Sequence, residues 1–170
     1  MSSSRTGVHV ELAERGAANV ATGLPVLDHL VGELARSARL RVALEVAPQS
    51  ADEEVVAAGR AFGEAIVSLL ADEAAAGRGW AIVPADEALA SAALERADEA
   101  RFVSNVDFSD QRVAGLATDL ASRFLNELTE AAGLNLHLRL IEGQDPQHVL
   151  AAMFKAVGAA LGQACRKEDS

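Results

Sequence analysis

Apolar positions recur along the chain in two periods. In VHVEL (8 to 12) apolar and polar residues alternate, and the alternation returns in NVAT (19 to 22), which predicts a β-hairpin. Between 24 and 37, Leu27, Leu30, Val31 and Leu34 recur at spacings of three and four, so they share one helical face. RLRVALEV (39 to 46) alternates as a half-buried strand, and residues 51 to 76 predict a long Ala-rich helix that stops at Gly77. The same order then comes again. Strands at about 86 to 95 and at 101 to 106 precede a helix from about 113 to 132, its end marked by Gly133. LNLHLRLI (134 to 141) alternates strictly, and a last helix runs from Pro146 to about Cys165.

Each half therefore reads β-β-α-β-α, with the first half at 1–84 and the second at 85–170. LARSARLRVALEV (34 to 46) matches LTEAAGLNLHLRL (128 to 140) in pattern, and both lead through a turn into a long helix, as an internal duplication would. The fold class expected is α+β: two sheets, each covered on one face by two helices, with the helices packed between the sheets. Ala-rich acidic helices also resemble one another through composition alone, so the order of elements is weaker evidence than a residue motif.

Composition narrows the function. The chain has 170 residues, enough for a single core, and half of them are hydrophobic while only 4% are aromatic. Its core must be built mainly from Ala, Val and Leu, which favours close helix packing. A net charge of −10 argues against a nucleic-acid partner, because phosphate binding needs clustered Lys and Arg. Cys165 is the single cysteine, which leaves no internal disulfide and fits a reducing compartment. No segment has the length of a signal peptide's apolar region or of a membrane span, so the expected location is the cytoplasm, with no membrane partner.

Two helix starts carry polar clusters. In SADE, Ser50 can cap the helix while Glu53 reaches back, as in a capping box, and Asp52, Glu53 and Glu54 suit the positive end of the helix dipole. In DPQH, Asp145 can be the N-cap and Pro146 the first helical residue.

Four motifs, TGLPVLDHL (22 to 30), PADEALA (84 to 90), LHLRLIEG (136 to 143) and HVLAAMFKAVGAAL (148 to 161), stand in an informative order. Their order and spacing resemble imidazoleglycerol-phosphate dehydratase, an enzyme family of histidine biosynthesis, over nearly the whole chain. The resemblance implies a duplicated β-β-α-β-α subunit, assembly through trimers into a larger shell, and two manganese ions held at subunit interfaces by imidazoles and carboxylates. It also implies a dehydration in which the metals hold the substrate's imidazole and basic residues hold its phosphate.

The ligand positions are only partly kept. The family histidine of FLDHM corresponds to His29 and that of LHI to His137. The helix motif DHHTVED corresponds to Ala51 through Ala57, so its histidines become acids and its ligand glutamate becomes Val56. The second set, His-His-x-x-Glu, corresponds to Gln147, His148 and Ala151. The early Glu-Thr pair corresponds to Arg5 and Thr6, and the arginine of DLSGRP to Glu99. Arginine is not a proton acceptor at neutral pH, and an acid in a phosphate clamp repels its ligand.

His29, His137 and His148 are therefore the metal candidates, as remnants of a site, with structural or solvated histidines as the bland alternative. No catalytic residue, cofactor-binding residue or cofactor is assigned, although the resemblance would imply manganese. Asp86 and Glu87 could serve as an acid-base pair but read first as turn residues. Trp80 reads as an edge or interface residue, and Arg36, Arg39 and Arg41 as a solvated basic group paired with nearby acids. The expected function is a dehydratase-like protein without catalytic activity, structural or regulatory, forming a homo-oligomer of trimer size or larger, with co-assembly with an active relative as a further possibility. The alternatives are a remodelled pocket using His29, His137, His148, Asp52 and Glu53 to bind or transform a small molecule, and retained dehydratase (carbon-oxygen lyase) activity.

Overall fold

A computed structural model describes residues 5–106, 112–113 and 116–168. Two strands, β1 (Gly7–Leu12) and β2 (Ala17–Ala21), precede helix α1 (Pro25–Ala38), strand β3 (Leu40–Glu45) and helix α2 (Ala51–Ala71). Strands β4 (Arg78–Ala85), β5 (Ala88–Arg96) and β6 (Arg101–Ser104) follow. A two-residue pairing of β7 (Arg112–Val113) with β8 (Leu116–Ala117) then leads into α3 (Thr118–Ala132), β9 (Leu134–Glu142) and α4 (Pro146–Ala164).

The first sheet has the order β1-β3-β2, so the predicted hairpin does not form. Strand β1 runs antiparallel to β3, and β2 runs parallel to β3 on its other side. The physical reason is burial. Leu40, Val42 and Leu44 of β3 are almost wholly buried and take the central position, whereas Val8, Val10, Ala18 and Val20 of the flanking strands are only partly buried. The linker between β1 and β2 crosses the end of β3 tightly against α1, where a Cβ on Gly16 would lie 2.4 Å from the Arg36 Cα.

The second sheet repeats this plan. Its order, β4-β5-β9-β6, contains β5-β9-β6 as the counterpart of β1-β3-β2, with β9 antiparallel to β5 and parallel to β6. Strand β4 is an addition that the hydrophobic pattern did not reveal, joined to β5 through Asp86 and Glu87. Two helix boundaries also move. Helix α2 ends at Ala71 because Asp72 turns extended and its carboxylate accepts from the Ala74 amide at 2.8 Å. Helix α3 begins at Thr118, later than the expected 113.

All four helices lie between the sheets, with α1 against α4 and α2 against α3, as the expected α+β architecture requires. Phe62, Phe124 and Phe154 are fully buried at the centre. The capping expectations hold: Ser50 accepts from the Glu53 amide at 3.3 Å while its hydroxyl donates to the Glu53 carboxylate at 2.7 Å, and Asp145 accepts from the amides of Gln147 and His148. No helix among the described residues is long and apolar enough to cross a membrane. The Cys165 thiol is buried, and burial pushes its pKa up to about 11.

Arg166 closes one end of the molecule. Its guanidinium donates to the carbonyls of Ala38 (2.8 Å), Gly162 (3.0 Å), Ala13 (3.1 Å) and Arg39 (2.6 Å), placing a cation at the negative ends of α1 and α4. Arg166→Ala is expected to cost about 2–3 kcal/mol in urea unfolding, since charged hydrogen bonds contribute about 1.5–3 kcal/mol each and are not additive. Lysine should recover little of this, because a single ammonium cannot span four divergent acceptors. Full rescue by lysine would show that charge alone matters there.

Candidate functional site

Helix α1 presents the first of the candidate histidines through a lock at its start. Thr22, fully buried, donates from its amide (2.8 Å) and its hydroxyl (2.5 Å) to the Asp28 carboxylate, and the Thr22 hydroxyl oxygen accepts from the Leu24 amide at 3.2 Å. Gly23 takes a φ of 87°, and a Cβ there would fall 2.5 Å from the Glu54 carboxylate, which closes over the turn. These contacts account for the motif TGLPVLDHL: its threonine and aspartate set the entry of the helix, its glycine makes the bend, and Pro25 begins the first turn.

His29 then faces a cleft of about 660 Å³ between α1, α4 and the β4–β5 turn. The same cleft receives His148, Gln147 and Lys155 from α4, Asp86 from the turn and Glu33 from α1, over apolar walls that include Leu30 and Leu150. Glu33 is the hub of one side. Its carboxylate lies 3.6 Å from His29 Nε2, 3.3 Å from the Arg36 guanidinium and 3.9 Å from Lys155 Nζ. Sequence reasoning did not single out Glu33, although its spacing of four from His29 on a predicted helix was a usable signal.

On the other side, His148 is held by both residues of the turn. Its Nδ1 is hydrogen-bonded to Glu87, and its Nε2 lies 3.4 Å from the Asp86 carboxylate. Asp86 is a turn residue as expected, with φ at 53°, and the same turn brings its acid to the imidazole. The hydrogen bond with Glu87 is the main reason that the His148 pKa is raised above its ordinary 6.5 and the Glu87 pKa is held below its ordinary 4.5.

The sign of the pH effect follows. The raised His148 value adds stability that is complete below 6.5 and is lost as pH rises through the folded value; the lowered Glu87 value adds stability that is present above 4.5 and is lost as pH falls through its folded value. The contact is thus strongest between those limits. In an NMR titration of the imidazole, Glu87→Gln is expected to bring the His148 midpoint back toward 6.5. An unmoved midpoint would mean that the pair does not hold together in solution.

The remaining candidates lie elsewhere. His137 is exposed on β9, in a separate depression of about 340 Å³ on the outer face of the second sheet, beside Trp80, Arg78 and Asn135. Asp52 and Glu53 line a third, shallow groove at the start of α2, with Val56 and Arg60. Within one chain the structure brings His29 and His148 into one cleft and separates both from His137 and from the acids of α2. The arginine group behaves as expected in part: Arg36 pairs with Glu33 and Arg41 with Glu11 at 2.7 Å, while Arg39 forms the left-handed cap of α1.

Manganese can be tested against these donors by their chemistry. Mn²⁺ prefers several oxygen and nitrogen ligands in near-octahedral geometry. At the two helix starts, Val56 and Ala151 carry no donor atom. Glu53 is engaged with the Ser50 cap, Glu54 is buried with its carboxylate accepting from the Gln49 amide at 3.4 Å, and Asp52 lies 3.5 Å from Arg123. No group of three or more His, Cys, Asp or Glu able to hold an ion occurs among the described residues. The residues at these helix starts do not fit the pair of manganese ions that the resemblance implies.

Comparison with known proteins places this geometry in a lineage. The family model for imidazoleglycerol-phosphate dehydratase matches residues 22–161. The imidazoleglycerol-phosphate dehydratase of Desulforudis audaxviator is 35% identical over 170 aligned positions, covering 95% of this chain and 85% of its own, and that of Chlorobaculum tepidum is 32% identical with the same coverages. A crystal structure of imidazoleglycerol-phosphate dehydratase from Staphylococcus aureus superposes with a TM-score of 0.87 at 22% identity, over 96% of this chain and 95% of the other, which establishes the shared fold. With a family match across most of its length and relatives this similar, the chain belongs to the imidazoleglycerol-phosphate dehydratase family.

Proposed function

We propose that this chain is an imidazoleglycerol-phosphate dehydratase-like protein of histidine biosynthesis that serves a structural or regulatory role in an oligomer rather than turning over substrate. The observation that supports this most is the state of the two helix starts: Val56 and Ala151 stand where the family's carboxylate ligands would be, and the neighbouring acids of α2 are engaged in a cap, a turn and an ion pair. Arg5 and Glu99, at positions of a family glutamate and a phosphate-binding arginine, point the same way. A structural role fits a chain that keeps its internal packing while these side chains differ, and an active relative is the natural partner for a mixed assembly.

The second reading is a remodelled binding site. It is favoured by the cleft itself, which gathers His29, Glu33, Asp86, His148 and Lys155 around apolar walls. Retained dehydratase activity is the third, and the family's chemistry would make it a carbon-oxygen lyase.

Expression in a histidine auxotroph lacking its own dehydratase tests the first reading against the third. No growth without histidine is expected, and purified untagged protein should show neither stoichiometric manganese nor turnover of imidazoleglycerol phosphate when manganese is supplied. Growth at the rate given by an active relative would overturn the proposal. Co-expression with that relative, followed by mass analysis of the assemblies, tests the mixed oligomer; separate homo-oligomers would count against it.

A further inference from the structure

Helices α1 and α4 run in the same direction and touch along their C-terminal halves. A Cβ on Gly158 would lie 2.3 Å from the Leu34 carbonyl oxygen, and one on Gly162 would lie 2.4 Å from that of Ala38. Toward their first turns the two helices part, and the cleft of about 660 Å³ opens between Val26 and Leu30 of α1 and Leu150 and Ala151 of α4. Such a volume over an apolar floor suits a small organic molecule.

Charged groups along this floor are sorted by sign. At one end two cations, Lys155 and Arg36, face a single acid, Glu33, and His29 beside it can only add positive charge. At the other end two acids, Asp86 and Glu87, face His148, so that end is negative whichever state the imidazole holds. Each end also keeps a group with bonding capacity to spare. Lys155 Nζ stands 3.9 Å from Glu33 and the Asp86 carboxylate 3.4 Å from His148 Nε2, both outside the usual hydrogen-bonding range. Among the described residues neither charged group makes a hydrogen bond. His148 and Lys155 are seven positions apart on α4, which is two helical turns or about 10 Å along the axis. An ammonium and a carboxylate carried on one carbon cannot span that gap.

We infer that the cleft binds a linear zwitterion, an ω-amino acid whose carboxylate pairs with Lys155, whose ammonium pairs with Asp86 and whose aliphatic chain lies over Leu30 and Leu150. The inference rests on the second reading above, that the cleft is a binding site, and adds the class of ligand. Charge-assisted hydrogen bonds at both ends fix the ligand's direction, and the chain between them leaves water for the apolar floor. A carboxylate without an ammonium would bring nothing to the surplus negative charge at Asp86. An amine without a carboxylate would leave the surplus positive charge at Lys155 unmet.

Isothermal titration calorimetry of the full chain at low salt, with 5-aminopentanoate as the probe, tests this. Saturable binding is expected, about tenfold or more tighter than that of pentanoate, pentylamine or glycine, each of which lacks one end or the length between them. Lys155→Met should reduce the probe to the affinity of pentylamine, and Asp86→Asn to that of pentanoate. Asparagine tolerates the left-handed backbone at position 86, where φ is 53°, so the turn is kept. Lys155→Gln serves in place of Lys155→Met should that variant fail to fold. Pentanoate or pentylamine binding as tightly as 5-aminopentanoate would overturn the zwitterion while leaving the cleft a binding site. No saturable binding of 5-aminopentanoate would overturn the inference as well. The reading beneath it falls separately, if no member of a chemically mixed fragment set shifts the imidazole resonances of His29 and His148.

Discussion

Gly158→Ala is expected to destabilise the protein by about 3 kcal/mol or more, at the upper end of the cost of overpacking a core. A Cβ at this position would lie 2.3 Å from the Leu34 carbonyl oxygen and 3.0 Å from the Leu34 Cα, and one at Gly162 would lie 2.4 Å from the Ala38 carbonyl oxygen. The obstacles are backbone atoms on a packed helix, so no side-chain rotation relieves them. Helices α1 and α4 would have to separate. Alanine is the better helix former by about 1 kcal/mol, which offsets only part of that loss. Gly59 and Gly63 repeat the same spacing on α2, where a Cβ would lie 2.6 Å from the carbonyl oxygens of Phe124 and Leu128 on α3. Urea unfolding of the Ala variants at all four positions measures the effect. Stability equal to the wild type at Gly158 and Gly162 would mean that α1 and α4 do not approach this closely.

Phe124→Ala should have an effect of similar size for the opposite reason, an empty space. Phe124 meets Phe62 edge-on at 6.4 Å between ring centroids and stacks on Phe154 at 5.8 Å, and all three are fully buried. The three rings tie α2, α3 and α4 together in a chain with few aromatic residues. Removing the central ring costs about 3–5 kcal/mol for a buried Phe→Ala change. For a protein of this size, about 4 kcal/mol lowers the melting temperature by roughly 8–16 °C. Phe124→Leu retains most of the volume and should lose far less. Equal losses for Ala and Leu would show that the rings matter through specific aromatic contacts instead of filled space.

Local order was largely readable from the chain. The spacing of Leu27, Leu30, Val31 and Leu34 located α1, strict alternation located β9, and Ser50 and Asp145 marked the starts of α2 and α4, all confirmed within a residue or two. The reason is that these signals are local: a period of 3.6 or 2 decides which face is buried, and a cap needs residues only two or three positions away. Strand β4 escaped because Gly79 and Pro84 interrupt RGWAIVPA and its inward residues are small, Ala81 among them. The candidate cleft was half legible. His29, Asp86, His148 and Lys155 stood in recognised motifs, whereas Glu33 did not.

By itself the sequence determined the periods, caps and duplicated order of this protein, and with them the α+β class, while four residue motifs carried the resemblance to the family. Only tertiary structure decided that β3 and β9 lie between their neighbours, because alternation specifies a strand's buried face and says nothing about which strand sits beside it. Tertiary structure also joined His148 to Glu87, 61 positions away, and kept His137 on a different surface. Contacts at such separations depend on how whole elements stack, and the helices here can stack closely only where glycine leaves room for a neighbour's backbone.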